Sequence, residues 1–356
     1  MVASQPPVPT LMRDSVLVED DAIRILDRRL FPFRREWVTC RTYEDVANAI
    51  EEMVTQSSGP LFAAAGGMIL AARAAEKHDS TRARRNAMTA AAKRLLHTRP
   101  TNNGIREALE STAGAASRAL DEGLSLTGEV TQAARVVGDH YLARSRTLGR
   151  IAAELLSSGE TVLTHCWAES YLIETVRAAI LSGKELEFFC TETRPYLQGA
   201  RLTAESLKEL GVNVTVVTDG MPAELMREGR ISSFVTAADR VTMDGHVINK
   251  VGTLQIAVAA HVFDVPYVAL VQAPDEQAPT PADVSMEFRD PTEVLYLNGE
   301  RMAAEGVEAI YPAFDVTPPR FVRTIATDRG RFAPNDLGSY YQQPESRESR
   351  DDHSWI

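Results

Sequence analysis

Ser157-Ser158-Gly159-Glu160-Thr161-Val162-Leu163-Thr164-His165-Cys166 is the stretch at which the period of this chain changes. Upstream, apolar residues recur mostly at helical spacing. Downstream, Thr161-Val162-Leu163-Thr164, Leu186-Glu187-Phe188-Phe189, Val214-Thr215-Val216-Val217, Phe234-Val235-Thr236 and Tyr267-Val268-Ala269-Leu270-Val271 are short β-rich runs separated by helical segments. That alternation predicts a mostly parallel sheet with helices on its faces, Rossmann-like in topology. The ends of such strands lie together on one edge, where ligands bind. No Gly-x-Gly-x-x-Gly follows the first run, so a dinucleotide cofactor is not expected.

Before this domain, Leu17 to Arg28 and Glu36 to Arg41 alternate as two strands of a hairpin around Phe31-Pro32-Phe33. Thr42 is a plausible helix N-cap, and Val46, Ala47, Ile50, Met53 and Val54 follow at helical spacing up to the Ser57-Ser58-Gly59-Pro60 break. Leu61 to Ala75 has almost no polar face and predicts a helix buried between neighbours. Thr81 to Leu96 carries Arg82, Arg84, Arg85, Lys93 and Arg94, which read as a solvated helix face, and Arg99-Pro100-Thr101 ends it. Helices over Ile105 to Glu122 and Glu129 to Leu156 complete the region.

The expected class is therefore α/β, a helical N-terminal domain with a β-hairpin over 16–157 and a sheet domain over 158–335. Residues 1–15, with Pro6, Pro7 and Pro9, and the polar tail 336–356 are expected to be disordered.

Lys plus Arg is 38 against Asp plus Glu 49, a net charge of −11, which argues against a nucleic-acid or membrane surface as partner. Cys40, Cys166 and Cys190 stand far apart, with neither Cys-x-x-Cys nor the His spacing of a zinc site. Reduced thiols and a cytoplasmic protein are expected, as there is no signal-peptide pattern and no apolar run long enough to cross a bilayer.

Four features could carry chemistry. Cys166 stands at a strand end before a helix beginning near Ala168, whose N-terminus would favour thiolate; a small buried residue is the plainer alternative. Strand alternation turns His165 away from whatever Cys166 faces. Asp239 comes directly off the small, apolar run Ser233 to Ala238, where desolvation would raise its pKa as a general acid requires; an N-cap or a pair with Arg240 is the alternative. Asn249-Lys250-Val251-Gly252-Thr253 follows a short strand and offers a tight turn and a point charge for an anion. The Arg194-Pro195 and Gln198-Gly199-Ala200 stretch could place a cation and amides over phosphate or sugar hydroxyls.

Taken together, Thr164-His165-Cys166, Glu192-Thr193-Arg194-Pro195 through Gln198-Gly199-Ala200-Arg201-Leu202-Thr203-Ala204, Ala238-Asp239-Arg240, Asn249 to Thr253 and Pro312-Ala313-Phe314-Asp315-Val316-Thr317-Pro318 resemble the methylthioribose-1-phosphate isomerase family. That family is related to ribose-1,5-bisphosphate isomerases and to regulatory subunits of the translation initiation factor 2B complex. The resemblance covers about Ile23 to Phe332 and includes Arg99-Pro100-Thr101. It implies a homodimeric aldose–ketose isomerase, an intramolecular oxidoreductase acting on a small sugar 1-phosphate, with no metal and no cofactor. It further implies Asp239 as proton donor, Cys166 as second catalytic group, and Arg99, Gln198, Asn249 and Lys250 as substrate contacts. A non-catalytic regulatory protein that binds a nucleotide or sugar phosphate is the alternative from another class.

The chain also departs from the family's pattern. Ser57-Ser58-Gly59-Pro60 stands in place of Arg-Gly-Ala-Pro, Trp167-Ala168-Glu169 in place of an Asn-x-Gly type sequence, and Asn102-Asn103-Gly104 in place of Ala-Val-Asn. A missing cation, a bulkier wall and an added carboxylate make a bisphosphate the least favoured substrate. A 5-methylthio or 5-deoxy ribose 1-phosphate is preferred.

Overall fold

The computed structural model describes residues 5–99, 102–167, 169–344 and 355–356. Two compact units divide between Ala143 and Arg144. The expected domain boundary at 157/158 lies fourteen residues further on, past the end of the long helix in which this division falls.

The N-terminal unit opens with a helical turn, α1 (Thr10–Arg13), and an antiparallel sheet of β1 (Val16–Val18), β2 (Ile23–Leu26) and β3 (Trp37–Cys40). The expected two-strand hairpin is thus three strands. The acidic run Glu19-Asp20-Asp21 cannot be buried in a strand and forms a turn instead, where the Glu19 N–H donates to the Ala22 carbonyl at 2.9 Å. Helices α2 (Tyr43–Glu51), α3 (Gly59–Ala75), α4 (Thr81–Leu96), α5 (Asn103–Glu122) and α6 (Leu126–Ala153) follow. Thr42 caps α2 through a reciprocal bond pair with Asp45. Helix α3 is buried on nearly every side, as its uniform apolar composition requires.

The chain ends expected to be disordered are partly ordered. Leu11 is buried, and Trp355 packs edge-on against Phe62 at 5.1 Å while its indole N–H donates to the Ala134 carbonyl. In the C-terminal unit Leu337 and Tyr340 are buried, and Tyr340 donates to Asp328 at 2.9 Å. Apolar and aromatic groups in otherwise polar ends had core positions to fill. Residues 1–4 and 345–354 lie outside the described residues, as do Pro100, Thr101 and Ala168.

The second unit is built on β4 (Glu160–Thr164), β5 (Leu186–Thr191), β6 (Asn213–Val217), β7 (Ser233–Ala237), β8 (Arg240–Val241), β9 (Val247–Lys250), β10 (Tyr267–Leu270), β11 (Tyr296–Leu297), β12 (Glu300–Arg301), β13 (Phe314–Thr317), β14 (Thr324–Ala326) and β15 (Arg331–Phe332). The central sheet has the order β15-β14-β10-β7-β4-β5-β6, all parallel except β15. Read from β4, the six parallel strands wind outward first through β5 and β6 and then through β7, β10 and β14. This is the doubly wound order, whose switch point lies between β4 and β7. The crossovers include α7 (Glu169–Leu181), α8 (Ala204–Glu209), α9 (Pro222–Arg227) and α10 (Thr253–Val262), and the short α11 (Thr292–Leu295) lies in the long connection before β13. Leu163, Phe234, Tyr267, Ala269 and Ile325 from the sheet and Ile256 and Ala257 from α10 share one core. A smaller antiparallel sheet, β13-β9-β8, is the part that periodicity did not reveal. It also corrects the placement of Asn249 and Lys250, which end β9 rather than follow it.

Candidate active site

Cys166 follows β4 and Asp239 follows β7, so the two residues stand at the ends of the strands that flank the switch point. Their positions follow from the register, in which Val162 pairs with Ser233 and Leu163 with Phe234. The backbone at Cys166 is left-handed, with φ 70, and so is that at Thr193, with φ 63. Such conformations persist only where the surroundings hold them. The Cys166 N–H donates to the Thr193 hydroxyl at 2.9 Å, and the Thr203 hydroxyl donates to the Cys166 carbonyl at 2.6 Å. Asp219 accepts the N–H groups of Thr193 and Arg194 at 2.8 and 2.7 Å, fixing the start of that loop.

Gln198, 2 % exposed, leads into a short π-helical turn over Gly199–Thr203. A side chain at Gly199 would have its Cβ 1.8 Å from the Thr191 carbonyl oxygen, so the turn packs on β5 only because position 199 is glycine.

His165 is buried and neutral in character, because desolvation lowers its pKa. Its Nε2 donates to the Val251 carbonyl at 2.9 Å, and its Nδ1 accepts from the Thr191 hydroxyl at 2.6 Å. His165 therefore joins the ends of β4 and β5 to the turn that follows Lys250. Gly252, with φ 108, lies under the imidazole, and a Cβ there would meet the ring at 2.9 Å. Asp315 of β13 accepts the N–H groups of Gly252 at 2.7 Å and Leu254 at 3.1 Å, closing the N-terminus of α10. Burial raises the Asp315 carboxyl to about 6 against those two bonds.

Lys250 is 3 % exposed, and its Nζ donates to the Tyr311 hydroxyl at 2.5 Å. Asn249 is also buried and donates to the Thr253 hydroxyl at 3.0 Å. Burial lowers Lys250 to about 8, while the charges of Cys166 and Asp239 act to raise it. Burial pushes the Cys166 thiol up to about 12, with Lys250 pulling it down and Asp239 pushing it further up. These reciprocal influences place Cys166, Asp239 and Lys250 in one electrostatic neighbourhood.

Two expectations are corrected here. The helix N-terminus does not make Cys166 a thiolate, because desolvation of the sulfur outweighs every nearby positive charge. Asp239 is exposed rather than desolvated, because the apolar run that delivers it ends at Ala238, where the chain reaches the surface.

Cys166, Asp239, Gln198, Asn249 and Lys250 all belong to the C-terminal unit. Arg99 belongs to the N-terminal unit, half-buried, with its guanidinium 3.6 Å from the Met53 sulfur, and its expected part as a substrate contact rests on the resemblance alone. Two further groups act on the neighbourhood and were missed. Arg289 pulls the thiol down, and Tyr311 receives Lys250. Both come from the irregular connection between β10 and β13, where no local pattern marks a side chain as facing Cys166. An Arg beside an acidic Glu287 reads in sequence as an ordinary surface pair.

The chain matches the Initiation factor 2 subunit family over residues 56–334. It is 35% identical over 324 residues to the methylthioribose-1-phosphate isomerase of Thermotoga petrophila, covering 88% of this chain and 93% of that protein. It is 36% identical over 350 residues to the methylthioribose-1-phosphate isomerase of Anaeromyxobacter dehalogenans, covering 95% and 98%. The chain belongs to this family.

Within the family the fold likeness crosses functional names. The crystal structure of 5-methylthioribose 1-phosphate isomerase from Pyrococcus horikoshii superposes with a TM-score of 0.84 at 28% identity, covering 95% of this chain and 98% of that one. The delta subunit of translation initiation factor eIF-2B from A. fulgidus superposes with a TM-score of 0.79 at 29% identity, covering 92% and 97%. Fold therefore does not separate an isomerase from a regulatory subunit, and the side chains at the switch point have to do so.

Proposed function

We propose that this chain is an aldose–ketose isomerase that converts a 5-substituted ribose 1-phosphate, S-methyl-5-thioribose 1-phosphate or 5-deoxyribose 1-phosphate, to the corresponding ribulose 1-phosphate. One observation carries the reading: a thiol, a carboxylate and a buried ammonium, Cys166, Asp239 and Lys250, influence one another at the switch point of a doubly wound sheet. The curated relatives named as methylthioribose-1-phosphate isomerases support it. A module that only binds a ligand has no need of a thiol and an acid at those two strand ends.

A 1-phosphorylated furanose has no free anomeric hydroxyl, so its ring opens only if the ring oxygen receives a proton. Asp239 supplies it, and the bound sugar would itself cover a carboxyl that is open to solvent in the single chain. Lys250 and Asn249, at the end of β9, hold the sugar's oxygens, and the buried Gln198 amide, at the start of the turn that follows β5, is a further contact. Hydrogen then moves from C2 to C1 while the C2 hydroxyl proton returns to Asp239, leaving a ketone at C2. A thiol held protonated is a poor resting base. Burial of the sulfur, which keeps the thiol protonated, accordingly favours direct hydride transfer from C2 to C1 beside Cys166 over proton abstraction by it.

The test is NMR of the product formed from a panel of 5-methylthio, 5-deoxy and 5-phospho ribose 1-phosphates in deuterium oxide. Turnover of the first two without deuterium at C1 is expected. Deuterium at C1 would restore Cys166 as the base, and inactivity across the panel would favour the regulatory reading. A preference for the 5-phospho sugar would overturn the substrate assignment drawn from Trp167 and Glu169.

A further inference from the structure

Lys250 ends β9 in a position where it is stripped of water, yet its ammonium donates to a neutral hydroxyl rather than to a carboxylate. Such an arrangement is costly for a cation and needs a partner that stays in place. Tyr311, 2 % exposed and just ahead of β13, provides it twice over. Its hydroxyl accepts from Lys250 at 2.5 Å, and its ring centroid lies 4.4 Å from the same ammonium. The Arg289 guanidinium lies close enough to the phenol for its charge to offset part of the upward push of burial there. Arg289 is itself held at 2.8 Å by Glu287, with 13 % of its side chain exposed. The backbone braces the same group, since the Arg289 N–H donates to the Tyr311 carbonyl at 3.0 Å.

We infer that Tyr311, clamped by the Glu287–Arg289 pair, is a positioning residue that tethers the Lys250 ammonium within reach of Cys166 before any substrate binds. The tether keeps a buried cation from swinging toward solvent, and it gives the long connection between β10 and β13 a direct hold on the site. Arg289 also contributes its own charge at Cys166, so the clamp and the tether act on one sulfur. This inference deepens the isomerase reading for substrate affinity but does not depend on it for the state of the thiol.

The experiment uses the full chain and reads Cys166 directly. Cys40 and Cys190 are buried while Cys166 is partly accessible, so iodoacetamide alkylation followed by peptide mass spectrometry reports on Cys166 selectively. Tyr311→Phe keeps the ring and removes the hydroxyl. Alkylation at pH 8 is expected to slow by about 3-fold or more, because the rate tracks the thiolate fraction that Lys250 sustains. In a Lys250→Met background the same substitution is expected to change nothing further, since the tether then holds no charge. An unchanged or faster rate in Tyr311→Phe, or an equal slowing with and without Lys250, would overturn the inference.

Arg289→Lys retains the charge and loses the planar fork, and about a 2-fold slowing is expected. A wild-type rate there, should Tyr311→Phe fail to fold, would also overturn the clamp. With the ribose 1-phosphates, Tyr311→Phe is expected to raise KM about 10-fold with kcat within about 3-fold, whereas a merely structural role would leave KM unmoved in the folded variant. If no ribose 1-phosphate turns over, the isomerase reading fails while the alkylation series still decides the fate of Tyr311.

Discussion

Arg94 in the helical unit and Lys250 in the sheet unit are both cations, and their surroundings drive them in opposite directions. Arg94 donates to Glu44 at 2.7 Å, to both carboxylate oxygens of Glu51 at 2.7 and 3.0 Å, and to Asn48 at 3.2 Å. Those hydrogen bonds hold its charge more firmly than usual. Lys250 has exchanged its hydration for a phenol, and burial lowers it to about 8. A cation surrounded by acceptors at a surface ties two helices together and stays charged at any pH of interest. A buried cation without such partners costs stability, and that cost is a sign of chemistry. The difference marks Lys250, rather than Arg94, as the candidate for a working site without reference to any relative.

The comparison is tested first by its largest effect. Asp239→Asn retains shape and removes the transferable proton, so kcat is expected to fall by at least about 10²-fold, the usual scale for a general acid. Because Asp239 is exposed, the melting temperature should stay close to wild type. Normal turnover would shift the acid role to another group, with Glu169 at the start of α7 the next to try.

Lys250→Met should behave as a split. Losing a charge-assisted hydrogen bond of about 1.5–3 kcal/mol should lower kcat/KM by about 10- to 150-fold. Removing a buried charge should at the same time leave stability unchanged or raised. A variant that lost both together would mean that Lys250 is structural, like Arg94.

The pH dependence sharpens the contrast further. Between about 8 and the ordinary lysine value of 10.5, the unfolded chain keeps the Lys250 proton and the folded chain has released it. The unfolded state then binds more protons, so the contribution of this group to stability rises with pH across that window. Substrate affinity should move the other way, with KM rising above pH 8 as the ammonium discharges. Denaturant melts and KM profiles from pH 7 to 10 would check both signs, and Lys250→Met should abolish the first.

The smallest effect belongs to Arg94→Met. Exposed pairs contribute about 0.2–1 kcal/mol each and are screened by salt. Urea midpoints should therefore fall by about 1 kcal/mol in equivalent stability at low salt and by less in 0.5 M NaCl, with KM unaltered. A change in KM would break the division between the two cations.

The contrast also explains what was legible in the sequence. Long periodic segments were, and the helix expected over Thr81 to Leu96 has those bounds, because its pattern is local. The positions of Cys166 and Asp239 were legible through strand ends, since doubly wound sheets bring those ends together whatever the loops do. The antiparallel β13-β9-β8 sheet was not, as its strands of two to four residues are too short to show a period. The state of the thiol was not legible either. It depends first on the burial of the sulfur and then on the charges of Lys250, Asp239 and Arg289, all of which act on Cys166 only after folding. Exposure at Asp239 was missed for the same kind of reason: an apolar run says where a strand is buried, not where its last residue emerges.

His165 has a mechanical consequence. One imidazole bridges the loop behind the thiol to the turn behind the ammonium, with Gly252 pressed against the ring and Asp315 clasping the far side of that turn. Neither loop can open without breaking the same two bonds. The amides of Cys166, Gly252 and Leu254 should therefore exchange with deuterated solvent at a single rate, as one cooperative unit, and His165→Phe should split that rate into two. Opening and closing at the switch point then become a shared event, so a motion that admits the sugar on one side also readies the other.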